Sequence, residues 1–315
     1  MPTTKWLNKM RKDFWLDSHG FGKIHCCRWE PEREPRAILQ IVHGIAEFVE
    51  RYEDFANFLN AHGFLVVGED HMGHGGSIES GSIRGYFHGG WFTAVEDTMQ
   101  LMTEIKKEYP DVPYVLFGHS MGSFMARTIL CKYPDCGISG AVICGTGWQP
   151  SFALPALIRV VEGICKKTSE VQPNETLQNM VFGSYNDRVE HKRTEYDWLT
   201  RDERVVDAYI AHPLCGFTAS CGLLREMMKG IRYIQKAEHL LNMPMDLPVF
   251  FIAGGDDPVG NYGKGVHKAA DEFIRVGMQD VSRRIYPLCR HEILNELNKE
   301  EIYEDILEWM ENKLK

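Results

Sequence analysis

What the chain lacks narrows it first. No stretch approaches the ~18 uninterrupted apolar residues that a membrane span needs. The opening "MPTTKWLNKMRKDFW" has no apolar core of the kind a secretory leader carries. Basic charge is in deficit: 35 Lys plus Arg stand against 44 Asp plus Glu, a net charge of −9. That balance speaks against nucleic acid as a main partner, because phosphate binding needs a basic surface. The nine cysteines include no C-x-x-C pair, so no zinc site is expected. They read as mostly buried, reduced thiols, and adjacent Cys26 and Cys27 would point to opposite faces of a strand. These absences set the expectation of a cytoplasmic protein. No tandem repeat or low-complexity tract occurs.

What is present is an ordinary globular composition, 44% hydrophobic and 25% charged over 315 residues. That length suits one large domain carrying an insertion. Short apolar runs recur at wide spacing: "AILQIVHG" (37–44), "FLVVGED" (64–70), "YVLFGHS" (114–120), "GAVICGTG" (140–147) and "PVFFIAGGDD" (248–257). They are rich in Val, Ile and Phe, and several are continuous, as strands buried on both faces of a parallel sheet are. Helix-like stretches such as 51–63 and Thr93–Tyr109 lie between them, the latter stopping before Pro110. Strand–helix alternation predicts an α/β fold with a mostly parallel central sheet flanked by helices. Upstream, "FWLDSHGFGKIHCCRWE" reads as a glycine-turned hairpin that supplies antiparallel edge strands.

One interval breaks the rhythm. About a hundred residues separate the strand ending near Cys144 from the one starting near Pro248, far more than a connection needs. Residues 149–245 therefore read as an inserted, mainly helical cap, with 1–148 and 246–315 forming the core. Within the cap, Leu154, Leu157, Ile158, Val161 and Ile164 fall on one helical face. Such a stripe either packs on the core or lines an acyl tunnel and touches a membrane surface.

The chemistry centres on "YVLFGHSMGS" (114–123). A serine hydroxyl needs a base to take its proton, a group to hold that base, and donors for the oxyanion that forms. Ser120 lies between Gly118 and Gly122, after a strand-like run and before a helix-like one, as in a strand–turn–helix elbow. Downstream, at strand ends, come Asp257 and then His291, the order Ser, Asp, His used by this kind of sheet. Asp257 is preferred over Asp256 because Pro258 and Val259 follow it as a tight turn. His267 falls in a helical pattern, and His71, His74 and Asp70 belong to a glycine-rich loop too supple for a rigid metal site. Gly44 lets the chain turn back after the first parallel strand, so the N–H groups of Ile45 and Met121 are the expected oxyanion donors. His43, Phe48 and His119 flank these positions and are expected in the substrate pocket. No metal or organic cofactor is expected.

In "HGIAEFVERY", "DHMGHGGS", "GHSMG", "GGDDPVG" and "RHEILNE", in that order, the chain resembles the serine α/β-hydrolases of the monoacylglycerol lipase and lysophospholipase type. These are grouped with the proline-iminopeptidase-like serine hydrolases. The resemblance runs from about residue 12 to the C-terminus. It implies the α/β-hydrolase fold, and an ester hydrolase acting on single-chain lipids through an acyl-enzyme on Ser120. Two departures bear on the substrate: Phe48 and His212 stand where the family often has histidine and aspartate. Three alternatives stay open. One is a short-chain carboxylesterase. Another is an aminopeptidase whose cap carboxylates (Glu195, Asp197, Asp202, Glu203) hold a substrate ammonium. The third is a receptor that keeps the pocket without the chemistry. A peripheral membrane contact through the cap belongs to the lipase reading, and the oligomeric state is left open.

Overall fold

The computed structural model describes residues 11–150 and 152–314; the first ten residues, which hold much of the stretch read for a leader, lie outside them. Eight strands form one sheet: β1 (Arg11–Asp17), β2 (Lys23–Trp29), β3 (Ala37–Val42), β4 (Phe64–Glu69), β5 (Tyr114–His119), β6 (Gly140–Cys144), β7 (Val249–Gly254) and β8 (Val281–Tyr286). Their spatial order is β1-β2-β4-β3-β5-β6-β7-β8. The upstream hairpin is present, with β1 antiparallel to β2 and β2 antiparallel to β4. From β4 through β8 every pairing is parallel. Every residue of β3, β4, β5, β6 and β7 is buried, which explains why these segments read as unbroken apolar runs. β8 lies at the sheet edge and carries Ser282, Arg283 and Arg284 in a row, so it does not read as an apolar run.

Three helices enter the core between the strands up to β6, α1 (Glu53–Ala61), α2 (Trp91–Glu108) and α3 (Met121–Lys132), and α4 (Ala153–Lys167) follows β6 and opens the insertion. The expected helices at 51–63 and 93–109 thus appear with shifted ends. The insertion continues through α5 (Glu175–Phe182), α6 (Glu203–Ala211), α7 (Cys221–Tyr233) and α8 (Ala237–Leu240), and the core closes with α9 (Lys264–Arg275) and α10 (Lys299–Lys313). Helices α1 and α10 pack on one sheet face, α2, α3 and α9 on the other. Cys26 and Cys27 are both fully buried, one in each layer, as their adjacency in a strand requires.

The α4–α8 segment lies between β6 and β7, where the break in rhythm stood. Asn174, Asp202 and Ser220 cap α5, α6 and α7 by accepting backbone N–H bonds. The stripe on α4 divides its work: Ile158 and Val161 are buried in the core cluster, while Leu154 and Leu157 also line a cavity. One expectation fails here. Cys165 on α4 and Cys221 on α7 form a disulfide, so the nine cysteines are not all free thiols. Spacing could not reveal this, since the two are 56 residues apart in sequence and meet only when α4 lies on α7. Disulfides persist in oxidising surroundings, so the thiol content no longer supports a cytoplasmic setting. Among the described residues, no helix is long and apolar enough to cross a membrane.

Candidate active site

The sheet order places the site. From β3 the chain moves to β4 on one side and then returns to β5 on the other, so the loops after β3 and β5 diverge. Open α/β sheets bind ligands in the crevice at such a point, beyond the strand C-termini. The loop after β3 carries Gly44 and Ile45, and the turn after β5 carries Ser120.

Ser120 joins β5 to α3 with φ 53° and ψ −120°. A positive φ in a non-glycine residue is strained and persists only where surroundings enforce it. The enforcement is close packing. A Cβ on Gly122 would stand 1.9 Å from the Val42 carbonyl oxygen, and one on Gly118 would stand 2.5 Å from the Gly122 oxygen. At Gly44 a Cβ would meet Glu47 Oε1 at 2.6 Å and Ser120 Cβ at 3.1 Å. The three glycines thus bring the β3 loop, the elbow and the start of α3 together.

His291 and Asp257 meet beside this turn. Their Nδ1 and Oδ1 atoms are 3.0 Å apart, and both side chains are buried. Asp257 Oδ1 also accepts the Val259 N–H at 2.9 Å, which is what the Pro258–Val259 turn contributes. Asp256 is exposed, and so is His267 on α9. Burial alone would lower the His291 pKa, but the Asp257 charge and hydrogen bond, helped by Glu292 and Glu47, raise it above the usual value. The His119 ring lies 4.6 Å from that of His291. Burial, then the charges of His291 and Arg51, push His119 well below the ordinary imidazole range, so it stays neutral.

Ser120, His291, Ile45, Met121 and His119 all border one cavity of about 790 Å³. Met121 is the first residue of α3, so its N–H has no partner within the helix. Two expected pocket residues sit elsewhere. His43 is fully buried beneath the loop, its Nε2 accepting the His71 N–H at 3.0 Å. Phe48 is buried against cap residue His212, with ring centroids 4.5 Å apart. Neither residue borders the cavity, because the His43 ring turns toward His71 and His74 and the Phe48 ring toward the insertion. The loop histidines His71 and His74 are buried around His43.

Several site residues escaped the sequence reading. A Cβ on Gly145, after β6, would lie 3.0 Å from His291 Cε1 and 3.2 Å from His119 Cε1, so this glycine makes room for both rings. The carbonyl of Ala46 accepts the Tyr209 hydroxyl of α6 at 2.9 Å and the Gly216 N–H at 3.0 Å. On the other side, the Trp198 and Leu199 carbonyls accept the His291 and Glu292 N–H groups, at 3.3 and 2.6 Å. The insertion therefore holds both the loop after β3 and the loop that carries His291. Beneath them, Arg51 Nη1 donates to Glu47 Oε2 (2.8 Å) and Glu292 Oε1 (2.7 Å), and Nη2 donates to Glu292 Oε2 (2.7 Å). Of the four cap carboxylates, only Glu195 borders the cavity. Asp197 accepts the Arg193 and Thr194 N–H groups, Asp202 caps α6, and Glu203 pairs with Arg193.

Among the described residues, one metal-capable cluster lies elsewhere: Asp13, His25 and Cys27 on the hairpin, with Glu50 from the turn before α1. Arg11 pairs with both of its carboxylates, at 3.1 Å each.

A nucleophile elbow at the crest of a mostly parallel sheet, with a histidine–aspartate pair beside it, defines the class: this is an α/β-hydrolase of the serine hydrolase kind. The pattern of the serine aminopeptidase S33 family matches residues 33–298, and the chain belongs to that family. It is similar to the monoacylglycerol lipase of Mycolicibacterium smegmatis, 27% identical over 91% of this chain and 92% of the relative. The monoglyceride lipase of Mus musculus is 26% identical over 87% and 85%. Among solved structures, a thermostable carboxyl esterase from Bacillus coagulans superposes with a TM-score of 0.90 at 29% identity, covering 97% of this chain and 99% of that one. The protein is a monoglyceride-lipase-like serine hydrolase, and ester hydrolysis is its general chemistry.

Proposed function

We propose that the protein hydrolyses carboxylic esters of single-chain lipids, of the monoacylglycerol or lysophospholipid type, through an acyl-enzyme on Ser120. The observation that carries this reading is the cavity over Ser120. At about 790 Å³ it falls within the range that encloses a whole small ligand. Its wall includes Phe124, Leu154, Leu157, Met227, Met228 and Ile231, a surface for an acyl chain, and also Asn179, Asn186 and Thr194, polar enough for a head group. The monoacylglycerol lipases among its relatives support the same substrate class.

In this mechanism Ser120 Oγ attacks the ester carbonyl while His291 Nε2 takes its proton. Asp257 holds the Nδ1–H and so fixes the tautomer and supports the imidazolium. The N–H groups of Ile45 and Met121 receive the oxyanion; losing one such donor typically costs about 3 kcal/mol of barrier. His291 then protonates the leaving alcohol, and water repeats the sequence to release the acid. The apolar Phe152, 85% exposed beside α4, and the half-exposed Val160 and Met180 support a peripheral contact of the insertion with a lipid surface.

The test is a matched panel: monoacylglycerols of short to long chain, a lysophospholipid, short p-nitrophenyl esters and a prolyl amide, each with native protein and Ser120→Ala. Long-chain preference that disappears in the variant is the expected result. Activity confined to short esters would reduce the protein to a carboxylesterase. Prolyl-amide activity alone would restore the aminopeptidase reading, with Glu195 as its ammonium partner. Turnover that survives Ser120→Ala would overturn the mechanism.

A further inference from the structure

Two carboxylates at the edge of the cavity and one guanidinium are buried together beside the site, and neither the elbow nor the His291–Asp257 pair requires them. Glu47 lies on the loop after β3, Arg51 in the turn leading to α1, and Glu292 directly after His291. Glu47 and Glu292 are 4% and 5% exposed. Every contact of the Glu47 carboxylate comes from a donor: Gly44 N–H (2.6 Å) and the Tyr52 hydroxyl (2.9 Å) on Oε1, Arg51 on Oε2. Glu292 likewise accepts only, from both Arg51 nitrogens and from Asn295 Nδ2 at 3.0 Å. Burial raises the Glu47 pKa above the usual carboxylate value, against the Arg51 charge, but each carboxylate faces donors alone; with both ionised the triplet carries one net negative charge.

Buried ion pairs of this sort are weak contributors to stability, since desolvation offsets the attraction. Their placement here points to another use. Glu47 holds the N–H of Gly44, one residue before the proposed oxyanion donor Ile45. Glu292 neighbours the base in sequence. Arg51 ties the two together, and its guanidinium also stacks on the Tyr209 ring of the insertion, 4.8 Å from the centroid.

We propose that Glu47, Arg51 and Glu292 form a positioning unit that fixes the oxyanion loop against the histidine loop and supplies His291 with a counter-charge beyond Asp257. This rests on the reading of Ser120, Asp257 and His291 as the catalytic triad. The groups facing His291 from every side are Asp257 after β7, Glu292 on its own loop, Glu47 and Arg51 from the β3 loop, and His119 at the end of β5. His119 is held neutral, and Arg51 opposes the two glutamates. The triplet's surplus charge is therefore negative, and it favours the imidazolium that forms as Ser120 attacks. The Glu292 carboxyl itself stays ionised: burial would raise its pKa, but the bidentate Arg51 brings it below the usual value.

The test uses the rate of inactivation by a fluorophosphonate, in which Ser120 Oγ displaces fluoride from phosphorus as its proton passes to His291. This readout needs no knowledge of the natural substrate. Rates are followed from about pH 5 to 9, across the histidine range. Glu292→Gln removes the charge at nearly constant shape. The expected result is a midpoint moved to lower pH by about half to one unit, with a plateau rate lower by roughly three- to tenfold, since one pKa unit corresponds to tenfold. Glu47→Gln should move the midpoint in the same direction. Glu296→Gln is the structural control. Glu296 holds the same loop through Arg201 and the Arg290 N–H, so its loss should lower the melting temperature without moving the midpoint.

If Glu292→Gln labels with an unshifted midpoint, or if Glu296→Gln shifts it equally, the proposal fails while the triad stands. A native protein that does not label at all would instead overturn the triad reading.

Discussion

Adding one methyl group at two different glycines should have opposite effects, and the structure gives the size of each. In Gly122→Ala the new Cβ would stand 1.9 Å from the Val42 carbonyl oxygen and 2.5 Å from that of His43. Ordinary contact begins at 3.4 Å, so the start of α3 and the end of β3 must separate by about 1.5 Å. Both obstacles are backbone, which cannot rotate away as a side chain can. Overpacking of this kind costs about 1–3 kcal/mol. The cost to catalysis should be larger, because the two elements being forced apart carry Met121 and lead to Ile45. A misplacement near 1 Å typically costs on the order of a hundredfold in rate. In Gly163→Ala, on α4, the added Cβ has nothing within 4 Å. Replacing a mid-helix glycine there should stabilise by roughly 1 kcal/mol and raise the melting temperature by about 2 °C. The assay is kcat on a p-nitrophenyl ester together with thermal unfolding. Native-like kcat in Gly122→Ala would refute the argument that this glycine sets the spacing of the oxyanion donors.

Three further outcomes are expected. Tyr209→Phe removes one of two hydrogen bonds to the Ala46 carbonyl; at about 1 kcal/mol for such a bond, kcat should fall roughly fivefold with KM nearly unchanged, as steady-state kinetics would show. Because the His291 pKa is raised, activity should be lost as pH falls through a midpoint above the ordinary 6.5, with full activity above it, in a pH–rate profile; a midpoint below 6.5 would contradict the Asp257 and Glu292 assignment. Reducing the Cys165–Cys221 bond frees a loop spanning 56 residues, for which the chain-entropy relation gives an upper figure of about 4 kcal/mol; calorimetry with and without a thiol should show the insertion losing stability, and long-chain ester turnover should suffer more than short.

The core strands and the elbow were legible in the sequence because their signals are local. An unbroken Val, Ile and Phe run means burial on both faces, and a serine between two glycines after such a run means a crowded turn. Asp257 was separable from Asp256 by the proline that follows it. What the sequence hid depends on elements meeting in space. Arg51 and Glu47 stand four residues apart with nothing in the sequence to mark them as buried, and only the fold brings Glu292 to the same guanidinium. Cys165 meets Cys221 only through α4 on α7. His43 and Phe48 failed for the converse reason: adjacency along the chain to a catalytic loop does not say to which side a ring turns.

The insertion consists of two parts with different obligations. Residues 194–216 hold the Ala46 carbonyl and the His291 loop, so any change in their position is felt at the reacting atoms. Helices α4 and α5 border the cavity, and α4 is secured to α7 by its own covalent link. Residues 194–216 thus serve both as cavity wall and as loop supports, whereas α4 and α5 contribute wall. On the proposed reading of Ser120, Asp257 and His291, exchanging residues 153–182 would change the length or polarity of one wall and leave the struts to the Ala46 carbonyl and the His291 loop in place, whereas grafting the whole insertion would carry off the struts along with the wall.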